Sequence, residues 1–259
     1  MKKAVLFVHG LAGGMDTWGA FKSLIEGEDE LDYDPFFYVY PSALLRIFSL
    51  FQSKYGDIRA LSNGLKTYID YTLDKYDEIV LVAHSLGGLI VRQYLLDQKI
   101  TSKKTKTKKV IFYAVPQEGT ELAKVASLIS FGHRHLKQLC NKSQFLDALN
   151  DLWATTKIEN DYEFKIILAT DDKVVSPQSA KSNFRHLNPE NVNGKDHRTI
   201  VKPIDKNDLS FVILKVFLCQ EVRISRDRPR GAIRFEEWLE IDDVRPFFPD
   251  EKRAKVLST

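Results

Sequence analysis

Glu78-Ile-Val-Leu-Val-Ala-His-Ser85-Leu-Gly-Gly-Leu-Ile-Val-Arg-Gln-Tyr94 joins two elements of opposite character with almost nothing between them. Ile79 to Val82 is a short apolar, β-branched run bounded by charge, the pattern of a strand buried on both faces of a parallel sheet. From Leu86 onward Leu89, Ile90, Tyr94 and Leu95 recur at helical spacing, so Ser85 falls on the turn. So sharp a turn needs small residues two positions either side of its tip, and Ala83 and Gly87 supply them. That geometry lifts the Ser85 hydroxyl above the sheet and aims the N–H of Leu86 at whatever the hydroxyl attacks. The stretch has the form of a nucleophile elbow, Gly-x-Ser-x-Gly, with Ala83 in place of the first glycine.

Upstream, the apolar run Ala4 to Val8 opens directly into His9-Gly-Leu-Ala-Gly-Gly14, a buried strand followed by a loop whose glycines let backbone approach a ligand. A tetrahedral intermediate on Ser85 needs two oxyanion donors. Leu86 provides one, and the loop after the first strand provides the other, best placed at Leu11. A phosphate-binding loop is the competing reading. Neither Gly-Lys-Ser/Thr nor Gly-x-Gly-x-x-Gly is present to support it.

These two motifs together resemble the lipase and esterase branch of the α/β-hydrolase superfamily, and within it the lipase-like serine hydrolases related to glycosylphosphatidylinositol inositol-deacylases. The similarity runs from about Lys3 to Gln220. It implies an α/β fold: a mostly parallel central sheet, helices on both faces and a helical lid insertion. It also implies Ser85 as nucleophile, with Leu11 and Leu86 forming the oxyanion hole. The Pro116-Gln-Glu-Gly-Thr120 segment resembles the Pro-x-x-Gly-Ser that lipase-like enzymes carry after the corresponding strand.

An acid and a base must come from farther along. The apolar run Phe164 to Ala169 reads as a strand, and Thr170-Asp-Asp-Lys-Val-Val-Ser-Pro177 follows its C-terminal end, where active sites of parallel sheets form. The family pattern sets the acid two residues before a Val-Val pair, which selects Asp172 and leaves Asp171 to cap the loop. His197 lies after the acid and just before the final apolar helix, Leu209 to Cys219. His186 shares that interval but sits too close to the preceding element. The order Ser85, Asp172, His197 is the order this fold uses. His9 and His84 belong to motifs in which the imidazole braces a loop.

Between these landmarks, Trp18 to Ile25 and Asp57 to Tyr76 have helical spacing, and Phe36 to Tyr40 and Val110 to Val115 read as strands. Leu44 to Phe51 is more apolar than a connection needs to be. It packs on the domain, or it forms an acyl-chain wall or membrane-touching rim. The lysine-rich run Lys99 to Lys109 reads as a solvated loop. Glu121 to Asn160 is a helical insertion long enough to serve as the lid. His133 and His135, two apart, do not share a helical face and read as surface residues, so no metal is expected.

The chain has 259 residues, 44% of them hydrophobic, which suits one domain over 1–221 and a charged C-terminal extension over 222–259. With 38 basic and 35 acidic residues the net charge is +3, too small to imply nucleic acid. Two cysteines and the absence of a signal-like or membrane-spanning run point to the cytoplasm. The expected function is hydrolysis of carboxylic esters, of small molecules or lipids, through a Ser85–His197–Asp172 triad and an acyl-enzyme, with no cofactor. Acyl transfer, thioester cleavage, and a non-catalytic binding module on the same scaffold are the alternatives.

Overall fold

A computed structural model describes residues 1–41, 56–129, 144–176, 184 and 187–220, and all structural statements below refer to these. The strands are β1 (Lys3–Val8), β2 (Asp34–Tyr38), β3 (Glu78–His84), β4 (Thr107–Tyr113), β5 (Glu163–Ala169) and β6 (Glu190–Val192). The helices are α1 (Phe21–Glu26), α2 (Gly56–Thr72), α3 (Leu86–Ile100), α4 (Gly119–Ile129), α5 (Gln144–Thr156) and α6 (Leu209–Cys219). The chain divides into the units Met1–Ile224 and Ser225–Thr259. The second lies outside the described residues, as do Leu44 to Phe51, His133, His135 and His186.

The six strands pair in the order β2-β1-β3-β4-β5-β6, every pair parallel. Parallel strands need crossovers, and the helices supply them on both faces. Both sheet faces are thereby removed from water, which explains why β3 is buried at every position and reads as an unbroken apolar run. On one face Phe7, Val82, Tyr113 and Ile167 pack with Phe21 of α1 and Phe211 and Leu214 of α6. On the other, Phe112, Phe164, Phe184 and Trp153 form a ring cluster with centroids about 6 Å apart. Each fully buried large side chain contributes roughly 1.5–3 kcal/mol.

From β1 the chain steps outward to β2, then returns past β1 to β3 and continues the other way. The reversal lies between β1 and β3, so the crevice at their carboxyl ends is where such a sheet holds a ligand. His9 and Ser85 are the residues that leave those two strands.

Several elements differ from the sequence expectation. β2 ends at Tyr38 rather than Tyr40, because its ladder partner β1 ends at Val8; Tyr40 leaves the sheet to stack on His9. The helix expected over Trp18 to Ile25 is a short 3₁₀ turn, Met15–Trp18, and then α1, divided by Gly19 at φ +49°. β6, only three residues long, has no counterpart among the strands expected from the sequence.

The lysine run is not all solvated loop: α3 continues to Ile100, and Lys109 is fully buried in β4. Its ammonium donates to the carbonyls of Phe217 (2.9 Å), Leu218 and Gln220. These carbonyls have no acceptor role left inside α6, and a cation there also suits the helix dipole. The supposed lid is likewise divided. α5 buries Leu146, Leu149, Leu152 and Trp153 and packs against α3, so that part is a crossover helix of the core. The lid expectation then rests on 130–143, outside the described residues.

Candidate active site

Three loops meet above the β1/β3 crevice, and glycine makes their approach possible. A Cβ on Gly10 would lie 2.8 Å from the Ser85 Cβ, and one on Gly87 would lie 2.3 Å from the Val8 carbonyl. The start of α3 is therefore pressed against the exit of β1. Leu86 opens that helix, so its N–H is among the donors a helix leaves without an internal acceptor. Leu11 follows Gly10 in a tight turn closed by Gly13 N–H donating to the Gly10 carbonyl at 3.2 Å.

Ser85 itself has φ +52° and ψ −127°, a conformation that costs a non-glycine residue about 1–3 kcal/mol. Its N–H donates to the Tyr113 carbonyl (3.2 Å), and its own carbonyl accepts from Gly88 N–H (2.9 Å). Strand β4 and helix α3 thus hold the strained turn from both sides.

The Ser85 Oγ lies 3.0 Å from His197 Nε2, and His197 Nδ1 lies 2.9 Å from Asp172 Oδ2. Residues separated by 112 and 25 positions are joined in one hydrogen-bonded chain. Only 8% of the histidine side chain and 1% of the carboxylate side chain are exposed. The other carboxylate oxygen, Asp172 Oδ1, accepts from Val174 N–H (2.7 Å) and Val175 N–H (3.1 Å), which fixes the carboxylate plane. Asp171 is exposed, and its Oδ1 accepts from Thr170 Oγ1 at 3.3 Å, away from the imidazole. An ionised Asp172 facing Nδ1 keeps the proton there, so Nε2 presents a lone pair to the hydroxyl.

His9 and His84 act as braces. Tyr40 N–H donates to His9 Nε2 (3.3 Å), so the His9 proton sits on Nδ1 and is donated to the Gly10 carbonyl (2.8 Å). Tyr40 stacks on the ring at 4.2 Å and donates its hydroxyl to the His9 carbonyl at 2.6 Å. Burial lowers the His9 pKa. His84 contacts the His197 backbone, and burial together with the nearby His197 pulls its pKa down to about 3.

Between about pH 3 and 6.5 the unfolded chain binds a proton at His84 that the folded protein refuses. Stability is therefore intact above pH 6.5 and lost as pH falls, at up to about 1.4 kcal/mol per pH unit for this residue. Urea unfolding at pH 7 and pH 5 is expected to give the lower free energy at pH 5. His84→Gln should reduce that difference by about one proton's worth, and an unchanged difference would contradict the assignment.

Two polar residues essential to the frame carry no sequence signal. Glu121, in the first turn of α4, is 2% exposed; its carboxylate accepts from Gln117 N–H (3.2 Å) and Ser176 N–H (2.7 Å). It ties the loop bearing Asp172 to the exit of β4. Arg92, fully buried in α3, donates to Gln117 Oε1 (2.8 Å) and Asn150 Oδ1 (3.0 Å) and lies over the Trp153 ring. Glu121 reaches Ser176, and Arg92 reaches Gln117 and Asn150, far along the chain. Among the described residues no group of three or more histidine, cysteine or acidic side chains could hold a metal ion, and no helix is long and apolar enough to cross a membrane.

A family model described as “Putative serine esterase (DUF676)” matches residues 1–186. Protein SERAC1 of Danio rerio is 35% identical over 96 residues, covering 34% of this chain and 14% of its own length. Protein SERAC1 of Mus musculus is 25% identical over 258 residues, covering 85% of this chain and 39% of its own length. The chain thus spans less than two fifths of those curated relatives. Among solved structures, a monoacylglycerol lipase of Paleococcus ferrophilus superposes with a TM-score of 0.54 at 16% identity, over 83% of this chain and 93% of that one. At that identity the likeness concerns the fold alone, an α/β-hydrolase fold.

Proposed function

The chain belongs to the DUF676 serine esterase family and has an α/β-hydrolase fold, and from that premise we propose that it hydrolyses carboxylic esters through Ser85, His197 and Asp172. The observation that carries the reading is the continuous hydrogen-bonded chain Ser85 Oγ, His197, Asp172 at the switch point of the sheet.

His197 Nε2 takes the Ser85 proton as Oγ attacks the ester carbonyl, and Asp172 stabilises the imidazolium that forms. The oxyanion is received by the N–H groups of Leu11 and Leu86. Collapse of this intermediate breaks the ester C–O bond, with the proton passing from His197 to the leaving alcohol. Water, deprotonated by the same imidazole, then attacks the acyl-Ser85 ester and releases the acid. No step requires a metal or a cofactor.

The substrate is an ester of a small molecule or lipid, a reading supported in the sequence by the apolar content of Leu44 to Phe51 and of the insertion Glu121 to Asn160; peripheral contact with a membrane belongs to the same reading. Transfer of the acyl group to another acceptor and thioester cleavage use the same three residues, and added alcohols or thioester substrates separate them by product.

A fluorophosphonate probe tests the enzyme reading against a binding module. Its serine adduct is expected on the peptide containing Ser85, blocked by prior incubation with an ester. Failure of Ser85 to react, in protein whose melting transition is intact, would leave the binding-module reading.

A further inference from the structure

We propose that His84 is a positioning residue for the hydrolysis: its Nε2–H holds the backbone carbonyl of His197 and thereby sets the reach of that imidazole to Ser85. The inference rests on the reading of Ser85 and His197 given above.

His84 ends β3, one residue before Ser85, and is 7% exposed. Its Nε2 lies 2.8 Å from the His197 carbonyl oxygen. A carbonyl can only accept, so the ring proton is on Nε2 and a lone pair remains on Nδ1. That Nδ1 has no hydrogen-bond partner among the described residues. It faces Gly10, whose absent Cβ would stand 3.2 Å away. The edge of the Trp18 ring closes a third side, with centroids 6.3 Å apart. One ring is thus set between the oxyanion loop and the loop carrying the base, directly behind the nucleophile.

A brace that only filled space there would be served by an apolar ring. A histidine adds a ring N–H that an apolar ring lacks, and does so although its second nitrogen finds no partner among the described residues. What the histidine gains is a single directed bond, and that bond ends on the main chain of His197. The His197 side chain starts from the same backbone, and its imidazole lies with its centroid 5.1 Å from the His84 ring. Loss of the bond removes this donor from the His197 carbonyl and lets the His197 backbone shift. A shift of a few tenths of an ångström lengthens the 3.0 Å contact to Ser85, which acts on the chemical step rather than on substrate binding. The second ring also stays neutral while His197 becomes cationic, so it adds no repulsion to the imidazolium.

Glutamine and asparagine separate the two nitrogens. A glutamine amide nitrogen reaches the place of Nε2, whereas an asparagine amide reaches only the place of Nδ1. On a short p-nitrophenyl ester, His84→Gln is expected to keep kcat within about threefold of the parent. His84→Asn and His84→Leu should lower kcat by about tenfold or more, with KM changed less than about twofold. Fluorophosphonate labelling of Ser85 should slow in the same order.

Equal activity of the Gln and Asn variants, a loss confined to KM, or an inactive but folded His84→Gln would each overturn the proposal. If His84→Leu does not fold, the Gln and Asn pair alone decides. Failure of the parent itself to label at Ser85 would instead strike the esterase reading, so the two failures are distinct.

Discussion

Ser85→Ala is expected to lower turnover of a short p-nitrophenyl ester by about six orders of magnitude while leaving the melting temperature unchanged or slightly higher. The two effects have different origins. The turn that holds Ser85 at φ +52° is fixed by Tyr113, Gly88 and the glycine contacts of the neighbouring loops, none of which uses the hydroxyl. Among the described residues that hydroxyl bonds to His197 Nε2, at 3.0 Å, so alanine removes the nucleophile and little else. The residual rate comes from oxyanion stabilisation and binding. Turnover within about tenfold of the parent would mean that another group attacks the ester.

Asp172→Asn is expected to cost about four orders of magnitude in kcat with the fold intact. An asparagine can keep its carbonyl oxygen where Oδ1 now accepts from Val174 and Val175, which turns its NH₂ toward His197 Nδ1. An NH₂ can only donate, so Nδ1 must give up its proton and Nε2 must carry it. The ring then presents a donor to Ser85 rather than a base. Asp171→Asn alters a side chain that faces solvent and Thr170, and is expected to stay within about twofold of the parent. Comparable losses in both variants would show that the loop's charge, not the carboxylate on His197, matters for the rate.

The parts of the fold that local chemistry dictates were legible in the sequence. β3, the turn at Ser85 and α3 are readable because strand period, small residues and helix period succeed each other within 17 positions. α6 is readable because eleven residues, Leu209–Cys219, are nearly all apolar. Where the outcome depends on a distant partner, legibility ends. Lys109 belongs to a basic run and looks solvated, yet the carbonyls closing α6, 108 and more positions away, draw it inside. Glu121 and Arg92 are charged residues on helices, and nothing near them in sequence predicts Ser176, Gln117 and Asn150 as their partners. α5 has the apolar content expected of a lid, but the same content suits a crossover helix, and its packing on α3 and the Trp153 contacts with Phe164 and Phe184 distinguish the two. β6 is an edge strand of three residues, too short for any periodicity to register.

Hydrolysis through this triad requires Ser85 to carry the acyl group during turnover. Acid quenching of the protein during hydrolysis of a p-nitrophenyl ester, followed by peptide mapping, reads this directly. An acyl mass is expected on the peptide containing Ser85, absent from Ser85→Ala and rising when deacylation is slowed. An acyl group mapped to another residue, or steady turnover with no acylated peptide in any slowed variant, would contradict it.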